Sequence, residues 1–456
     1  MGEHNTKPTV DSDEQLLKWH RQHAWMPFTQ MKLLPDPPLI RRGEGIYLIT
    51  HDDRKIIDAI GSWWVSIFGH NHPQLKNAVK QQLDELEHVI YAGLSHAPAI
   101  RLAQRLSATT GHNLPRLFYS DNGSTAVEIG LKMAYQYYLN SGRPQKQEFV
   151  TLGGGYHGDT FGTMSVGARS VFHEAFAPLL FDVHTLPQPK VPFADFDRDY
   201  KIKEHIAPVL KAYRSLLESR GDSICALILE PLIQGASAGF NFYPPELLRE
   251  LYDLSKQYDV LLIADEVFTG SGRTGKFYAS EWAGIWPDIM ALSKGLSGGT
   301  LPFAATLATE KIFQAFYSDD RKTTLFHGHS MTGSPPGCAA ALAALNIFET
   351  QNILERVGRL ESGHRAHQKR ITAGPLGARI RESRVLGSVA VLEFNLEGDY
   401  TGEFGWRVMQ AALSRGALIR PLGTAVYLTP PYIITADQLA QTYEILEESV
   451  IEVLKN

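Results

Sequence analysis

A lysine at the end of an apolar strand is the residue of this chain best suited to covalent chemistry. Ile289–Leu292 runs directly into Ser293-Lys294-Gly295. Burial there disfavours the ammonium form, and a neutral amine is a nucleophile. The plain alternative is a lysine whose stem lies on the protein while its ammonium reaches water. Asp265 and Glu266 pose a related problem, because they follow Val260-Leu261-Leu262-Ile263-Ala264. Two carboxylates ending a buried strand need partners, since an unpaired buried charge is costly. A cationic ring nitrogen would satisfy one, and an ion pair with Arg273 would serve equally. Lys294 lies 29 positions beyond Asp265, enough for one strand–helix–strand crossover, so both can reach one crevice.

Two small-residue loops could hold the rest of a ligand. Ser120-Asp121-Asn122-Gly123-Ser124 follows the strand-like Arg116–Tyr119 and opens a helical run. Free backbone N–H groups at a helix start bind phosphate. An ordinary cap with Ser124 at the N-cap is the alternative. Gly153-Gly154-Gly155-Tyr156-His157-Gly158 follows Glu148–Leu152. Its glycines permit close backbone approach, and Tyr156 can stack on a flat aromatic ring; otherwise it is a flexible turn with one packed tyrosine. Gly270 to Lys276 matches G-x-G-x-x-G and much of a P-loop. However, Phe277 stands where Mg²⁺ binding needs a hydroxyl, and Asp265-Glu266 would repel a polyphosphate. A dehydrogenase or kinase built on that loop is disfavoured. His327, His329 and Asn71-His72-Pro73 match no zinc spacing, so no metal is expected.

The elements that must position these residues alternate regularly. Strand candidates are Arg116–Tyr119, Glu148–Leu152, Ile224–Leu229, Val260–Ala264, Ile289–Leu292 and Ala304–Ala308, with helices at Ser124–Ser141, Ile202–Ser219 and Glu246–Tyr258 between them. That rhythm predicts a mainly parallel sheet covered on both faces, with ligands at the strands' carboxyl ends. Leu75–His88, Ala99–Thr109 and Ser334–Thr350 read as further helices, and Gly45–Thr50 and Lys55–Ala59 as strands near the N-terminus. The division expected is 1–73 as the N-terminal part of a small domain, 74–345 as a large domain, and 346–456 as the C-terminal part of the small one.

Bulk properties narrow the partners. The chain has 456 residues and a net charge of −5 without a long basic run, so nucleic acid and anionic membranes are poor candidates. Cys225 and Cys338 are the two cysteines, which fits a reducing, cytoplasmic compartment. No apolar run reaches a membrane span. Met1 to Asp13 lacks a signal-peptide core, and the Gly2 and Thr6 match to a myristoylation pattern is read as fortuitous.

Taken in order, these segments resemble the class III aminotransferases over nearly the whole chain. Leu262 to Val267, Gly270 to Gly275 and Ser293-Lys294-Gly295 carry the resemblance. Within the class, the chain is similar to the diaminopelargonate synthases of biotin biosynthesis. Trp25-Met26-Pro27-Phe28-Thr29-Gln30-Met31, Ser62-Trp63-Trp64, Gly155 to Thr160, Glu230-Pro231, Gln234-Gly235-Ala236 and Ile419-Arg420-Pro421 point there.

The resemblance implies a fold-type I α/β transferase using pyridoxal 5′-phosphate (PLP), a homodimer acting on small molecules. Its large domain would have a mainly parallel sheet covered by helices, and its smaller α/β domain would come from both chain ends. It implies that Lys294 holds the cofactor and moves a proton, Asp265 pairs with the ring nitrogen, and Tyr156 stacks on the ring. Gly123 and Ser124 would bind the phosphate, with His329 and Ser330 reaching the phosphate of a neighbouring subunit. His329 departs from the family's usual proline there. Phe28, Trp63, Trp64, Tyr156 and Gly328 would shape the substrate pocket, and Arg420 would bind the substrate carboxylate. The reaction implied is conversion of 8-amino-7-oxononanoate to 7,8-diaminononanoate, with S-adenosylmethionine as donor. Phe28 stands where sulfonium users carry tyrosine and resembles lysine users, which keeps L-lysine open. Trp63-Trp64 resembles the sulfonium type, whose aromatic faces suit a cation. An ω-amino acid:pyruvate transaminase is the alternative within the class.

Overall fold

The six predicted apolar strands, joined at one edge by His184–Leu186, which the sequence pattern does not suggest, form one seven-stranded sheet. In the computed structural model, which describes residues 11–196, 198–237 and 239–455, its strands start at Arg116, Ala304, Ile289, Leu261, Ile224, Glu148 and His184, in that spatial order. Ala304–Ala308 runs antiparallel to both neighbours, and the other pairs are parallel. The sequence pattern explains the burial. Ile224–Leu229 and Leu261–Asp265 are buried at every position, as strands covered on both faces must be. The myristoylation-type pattern at Gly2 and Thr6 lies outside the described residues.

Helices fill both faces. Gly123–Asn140 buries Val127, Ile129, Leu131 and Ala134 among the apolar side chains of the large sheet. Asp199–Arg220 and Pro245–Gln257 lie in the cluster that contains Leu227 and Leu262. The N-cap of Gly123–Asn140 is Asn122, whose side chain accepts from the Thr125 N–H. Ser124 therefore sits inside the first turn and is not the cap. Its hydroxyl accepts instead from the Asp159 N–H at 3.4 Å.

A second core joins the two ends of the chain. Ala417–Leu418 pairs in parallel with Lys55–Asp58, adding a C-terminal strand to an N-terminal sheet. Ile46 and Ile57 share one apolar cluster with Val408, Ile419, Leu439 and Leu446. A three-stranded antiparallel sheet of Ile380–Leu386, Val389–Phe394 and Ala425–Leu428 completes this half. Among the described residues, no helix is long and apolar enough to cross a membrane. Cys225 and Cys338 are buried and unpaired.

Candidate active site

Strand register decides whether the lysine and the acid meet. Asp265 lies opposite Ala291, three residues before Lys294, so both end neighbouring strands at the same edge of the sheet. They line one cavity of about 470 Å³ together with Gly123, Ser124, Tyr156 and Val267. Burial pushes the Lys294 amine below the ordinary lysine range, although Asp265 and Glu230 pull in the opposite direction. Its Nζ lies 5.1 Å from the centre of the Trp64 ring.

The two carboxylates after Ala264 are satisfied differently, and Arg273 pairs with neither. Asp265 Oδ2 accepts from His157 Nδ1 at 2.7 Å, and its Oδ1 accepts from the Val267 N–H at 3.1 Å. A carboxylate only accepts, so the His157 proton in that bond sits on Nδ1. Glu266 is held by the N–H groups of Ala279 and Ser280 and the hydroxyls of Ser280 and Thr269. Glu266 is thus a structural strap, whereas Asp265 keeps an edge on the cavity. Arg273 donates instead to the Trp64 carbonyl at 2.7 Å.

Tyr156 is fixed at both ends. Its backbone N–H donates to Glu230 Oε1 at 2.9 Å, and its hydroxyl donates to Asp159 Oδ2 at 2.9 Å. Glu230 Oε2 also accepts from the Gly235 N–H at 2.9 Å. Burial and the neighbouring Asp265 push the Glu230 carboxyl up to about 7. The glycines have steric reasons. A Cβ on Gly123 would stand 2.7 Å from Val267 Cγ1. Gly158 has a φ of 127°, and a Cβ there would stand 2.1 Å from the Ser124 hydroxyl. Both loops are pressed against the cavity wall with no room for a side chain.

A second, aromatic compartment of about 220 Å³ adjoins the first and shares Trp64, Tyr156, Ala236 and Lys294 with it. Arg420 closes it, with Phe28, Trp63 and Tyr427 among its walls. Trp63 and Trp64 reach it through an unusual turn. Ser62, Trp63 and Trp64 have φ of 46°, 66° and 74°. Left-handed non-glycine residues cost about 1 kcal/mol or more each, so something must hold them. Fully buried Asp58 accepts from the Ser62 N–H and hydroxyl at 2.9 and 2.7 Å, and contacts His70 Nε2 at 2.8 Å. Arg420 lies over the Trp63 ring at 5.0 Å, and Lys294 Nζ lies over that of Trp64.

One chain does not bring every predicted residue together. Gly328, His329 and Ser330 line a separate cavity of about 670 Å³ with Ile90, Tyr91 and Phe118. His329 Nε2 lies 3.9 Å from Asp121, at the edge of the Lys294 cavity. Sequence reasoning gave no role to Asp58, His157, Phe172 or Tyr400. His157 sat in plain view beside Tyr156, but Phe172 and Tyr400 lie on loops with no motif. Gly270 to Lys276 forms turns with no long helix after it, which removes the phosphate-binding geometry of a P-loop. Among the described residues, no cluster of potential metal ligands occurs.

The residues fit PLP. The phosphate would meet the N–H groups at Gly123 and Ser124, the ring nitrogen would meet Asp265, the ring face would meet Tyr156, and the aldehyde would meet Lys294. This fold and site define a PLP-dependent transaminase. Residues 33–450 match the family model for class III aminotransferases, and the chain belongs to that family. It is 43% identical to adenosylmethionine-8-amino-7-oxononanoate aminotransferase of Synechococcus elongatus, over 94% of this chain and 99% of that one. The enzyme of the same name from Methanocaldococcus jannaschii superposes with a TM-score of 0.88 at 34% identity, covering 97% and 99% of the two chains. An amine transaminase from an uncultivated Pseudomonas species, in PLP-bound form, superposes at 0.85 with 31% identity, covering 94% and 98%.

Proposed function

We propose that this chain transfers an amino group to 8-amino-7-oxononanoate, giving 7,8-diaminononanoate in biotin biosynthesis, with adenosylmethionine as donor. The observation that carries the reading is the aromatic compartment with Lys294 at one boundary and Arg420 at another. The acceptor has an aliphatic chain with a ketone near one end and a carboxylate at the other. Apolar walls suit the chain, and a guanidinium suits the carboxylate. Relatives 43% and 38% identical carry the same named activity.

PLP, when bound, supplies an aldehyde that condenses with amines and a protonated ring that withdraws electrons from the substrate. Asp265, held by His157, would pair with the ring nitrogen and keep it protonated. Lys294, whose ammonium form burial disfavours, would hold the cofactor through Nζ and would move the proton at the amine-bearing carbon, for donor and acceptor alike. Tyr156, anchored by Glu230 and Asp159, would cover the ring face.

The site is read as completed by a second copy of the chain. Gly328, His329 and Ser330 would meet the neighbouring subunit's phosphate and substrate pocket. Phe326, Met331 and Ile90, at or beside that cavity, are 72%, 50% and 60% exposed, an apolar strip suited to burial in a dimer. Two free buried cysteines suit a reducing, cytoplasmic compartment.

A donor and acceptor panel tests the reading. Turnover of 8-amino-7-oxononanoate with adenosylmethionine is expected, with L-lysine a poor substitute. Rapid exchange between β-alanine and pyruvate, with none on 8-amino-7-oxononanoate, would replace this reading with a general ω-transaminase.

A further inference from the structure

Tyr400 is the one phenol of the aromatic compartment that touches Arg420, and it comes from a segment without any motif. It lies between the strand Val389–Phe394 and the helix Glu403–Ser414. Its hydroxyl accepts from Arg420 Nη2 at 3.2 Å, and the same nitrogen reaches the Phe28 carbonyl at 3.4 Å. Among the described residues, Arg420 has no carboxylate partner. Its remaining N–H groups stay available to a ligand, which is how a guanidinium prepared for a carboxylate should look.

The position of Tyr400 is built rather than incidental. Its ring meets Phe172 edge-on at 4.9 Å, Phe172 meets Phe28 at 5.6 Å, and Phe28 meets Trp63 at 5.4 Å. This row of rings ends under Arg420, which lies over Trp63. The loop that carries Tyr400 is pinned by Asp399, whose Oδ1 accepts from the N–H and hydroxyl of Thr401 at 2.8 and 2.6 Å. Gly423, with a φ of 59°, seats the loop from below, and a Cβ there would stand 3.2 Å from the Asp399 backbone. Tyr400 and Phe172 also line an outer cavity of about 280 Å³, so they stand at the partition between it and the substrate compartment.

We infer that Tyr400 is a specificity-determining residue for the substrate's terminal carboxylate. The phenol oxygen accepts from Arg420 and so fixes the guanidinium, while its own O–H stays free to donate to a carboxylate oxygen. Phe28 has no hydroxyl, and Tyr400 supplies one to the same compartment from the opposite end of the chain. The inference rests on the reading that Arg420 binds that carboxylate.

The test compares Tyr400→Phe and Arg420→Met holoenzymes on 8-amino-7-oxononanoate and on its amide, in which the charge is gone. Tyr400→Phe keeps the ring against Phe172, so the holoenzyme's melting temperature and cofactor absorbance should match those of the unsubstituted protein. For the carboxylate substrate, KM should rise about tenfold, the usual scale for losing a hydrogen bond to a charged group, with the loss in KM rather than kcat. The amide should change by less than about twofold, because the lost bond is one that only the charged group makes strongly. An equal loss on both substrates, or no loss, overturns the role of Tyr400. Arg420→Met should also penalise the carboxylate far more than the amide. If it penalises both alike, the carboxylate reading of Arg420 falls and Tyr400 falls with it. If Arg420→Met discriminates and Tyr400→Phe does not, the role of Tyr400 alone is lost.

Discussion

Lys294 and Glu230 line one cavity, and burial shifts the ionisation of both, as expected where burial is used to tune reactivity. Burial of Lys294 disfavours its ammonium form. Lys294→Ala should lower turnover by about 10⁴-fold, the upper scale for removing a proton-transfer group, and should abolish the cofactor's lysine-bound near-visible absorbance. Retained turnover with an unchanged spectrum would refute its role. Glu230 has a pH signature of its own. Its folded-state carboxyl titrates at about 7 against an ordinary 4.5, so the folded protein binds the proton more tightly than the unfolded chain. Such a group costs nothing below 4.5 and progressively destabilises the fold as the pH climbs to about 7, by at most about 3 kcal/mol. Glu230→Gln cannot ionise, although it loses an acceptor for one of two N–H groups. In cofactor-free protein its melting temperature should therefore gain on that of the native chain between pH 5 and pH 8. A constant gap across that range would rule out the shifted carboxyl.

Elements matter here through their ends. The helix Gly123–Asn140 starts at the cavity because Asn122 caps it and because Gly123 lets Val267 lie against its first turn. Gly123→Ala places a Cβ where Val267 already stands. Overpacking of this kind costs about 1–3 kcal/mol, and at this helix start it should appear as a fall of about tenfold in PLP affinity, read by titrating stripped enzyme. Unaltered affinity would mean that the phosphate is held elsewhere. The left-handed turn at Ser62–Trp64 works in the same way, since its strain is offset by one buried carboxylate, Asp58. Strand ends at Ser120, Leu152, Leu229, Asp265 and Leu292 deliver the remaining groups, each to the same edge of the sheet.

For the whole molecule, the apolar strip at Ile90, Phe326 and Met331 is the feature that a lone chain leaves unexplained. Phe326→Asp should convert a dimer to a monomer in sedimentation, and activity should fall with it if His329 and Ser330 serve the neighbouring site. A monomeric native chain with full activity would contradict that arrangement. At this scale the chain's two ends also come together. Ala417–Leu418 extends the N-terminal sheet, and Phe28 and Arg420 face each other across nearly the whole sequence.

Six of the seven strands of the large sheet, its mainly parallel order, and the meeting of Lys294 and Asp265 at one cavity were legible from residues alone. Each depended on a local pattern: an apolar run long enough for one strand, followed by one reactive group. Strand bounds at Glu148–Leu152, Ile224–Leu229 and Ile289–Leu292 needed no revision. The decoy at Gly270–Lys276 was also rejected on local chemistry. Other features depended on packing between segments far apart in sequence. Nothing near Asp265 indicates that His157 is its partner, and nothing near Tyr400 indicates that its hydroxyl meets Arg420. Nor does the pair Trp63-Trp64 reveal that Arg420 and Lys294 Nζ lie over its rings. Sequence fixes periodicity and residue type, which suffice for elements and for the groups at their ends. Only tertiary packing chooses the partner of each buried polar group, because that choice is made by whichever donor or acceptor the fold brings within about 3 Å.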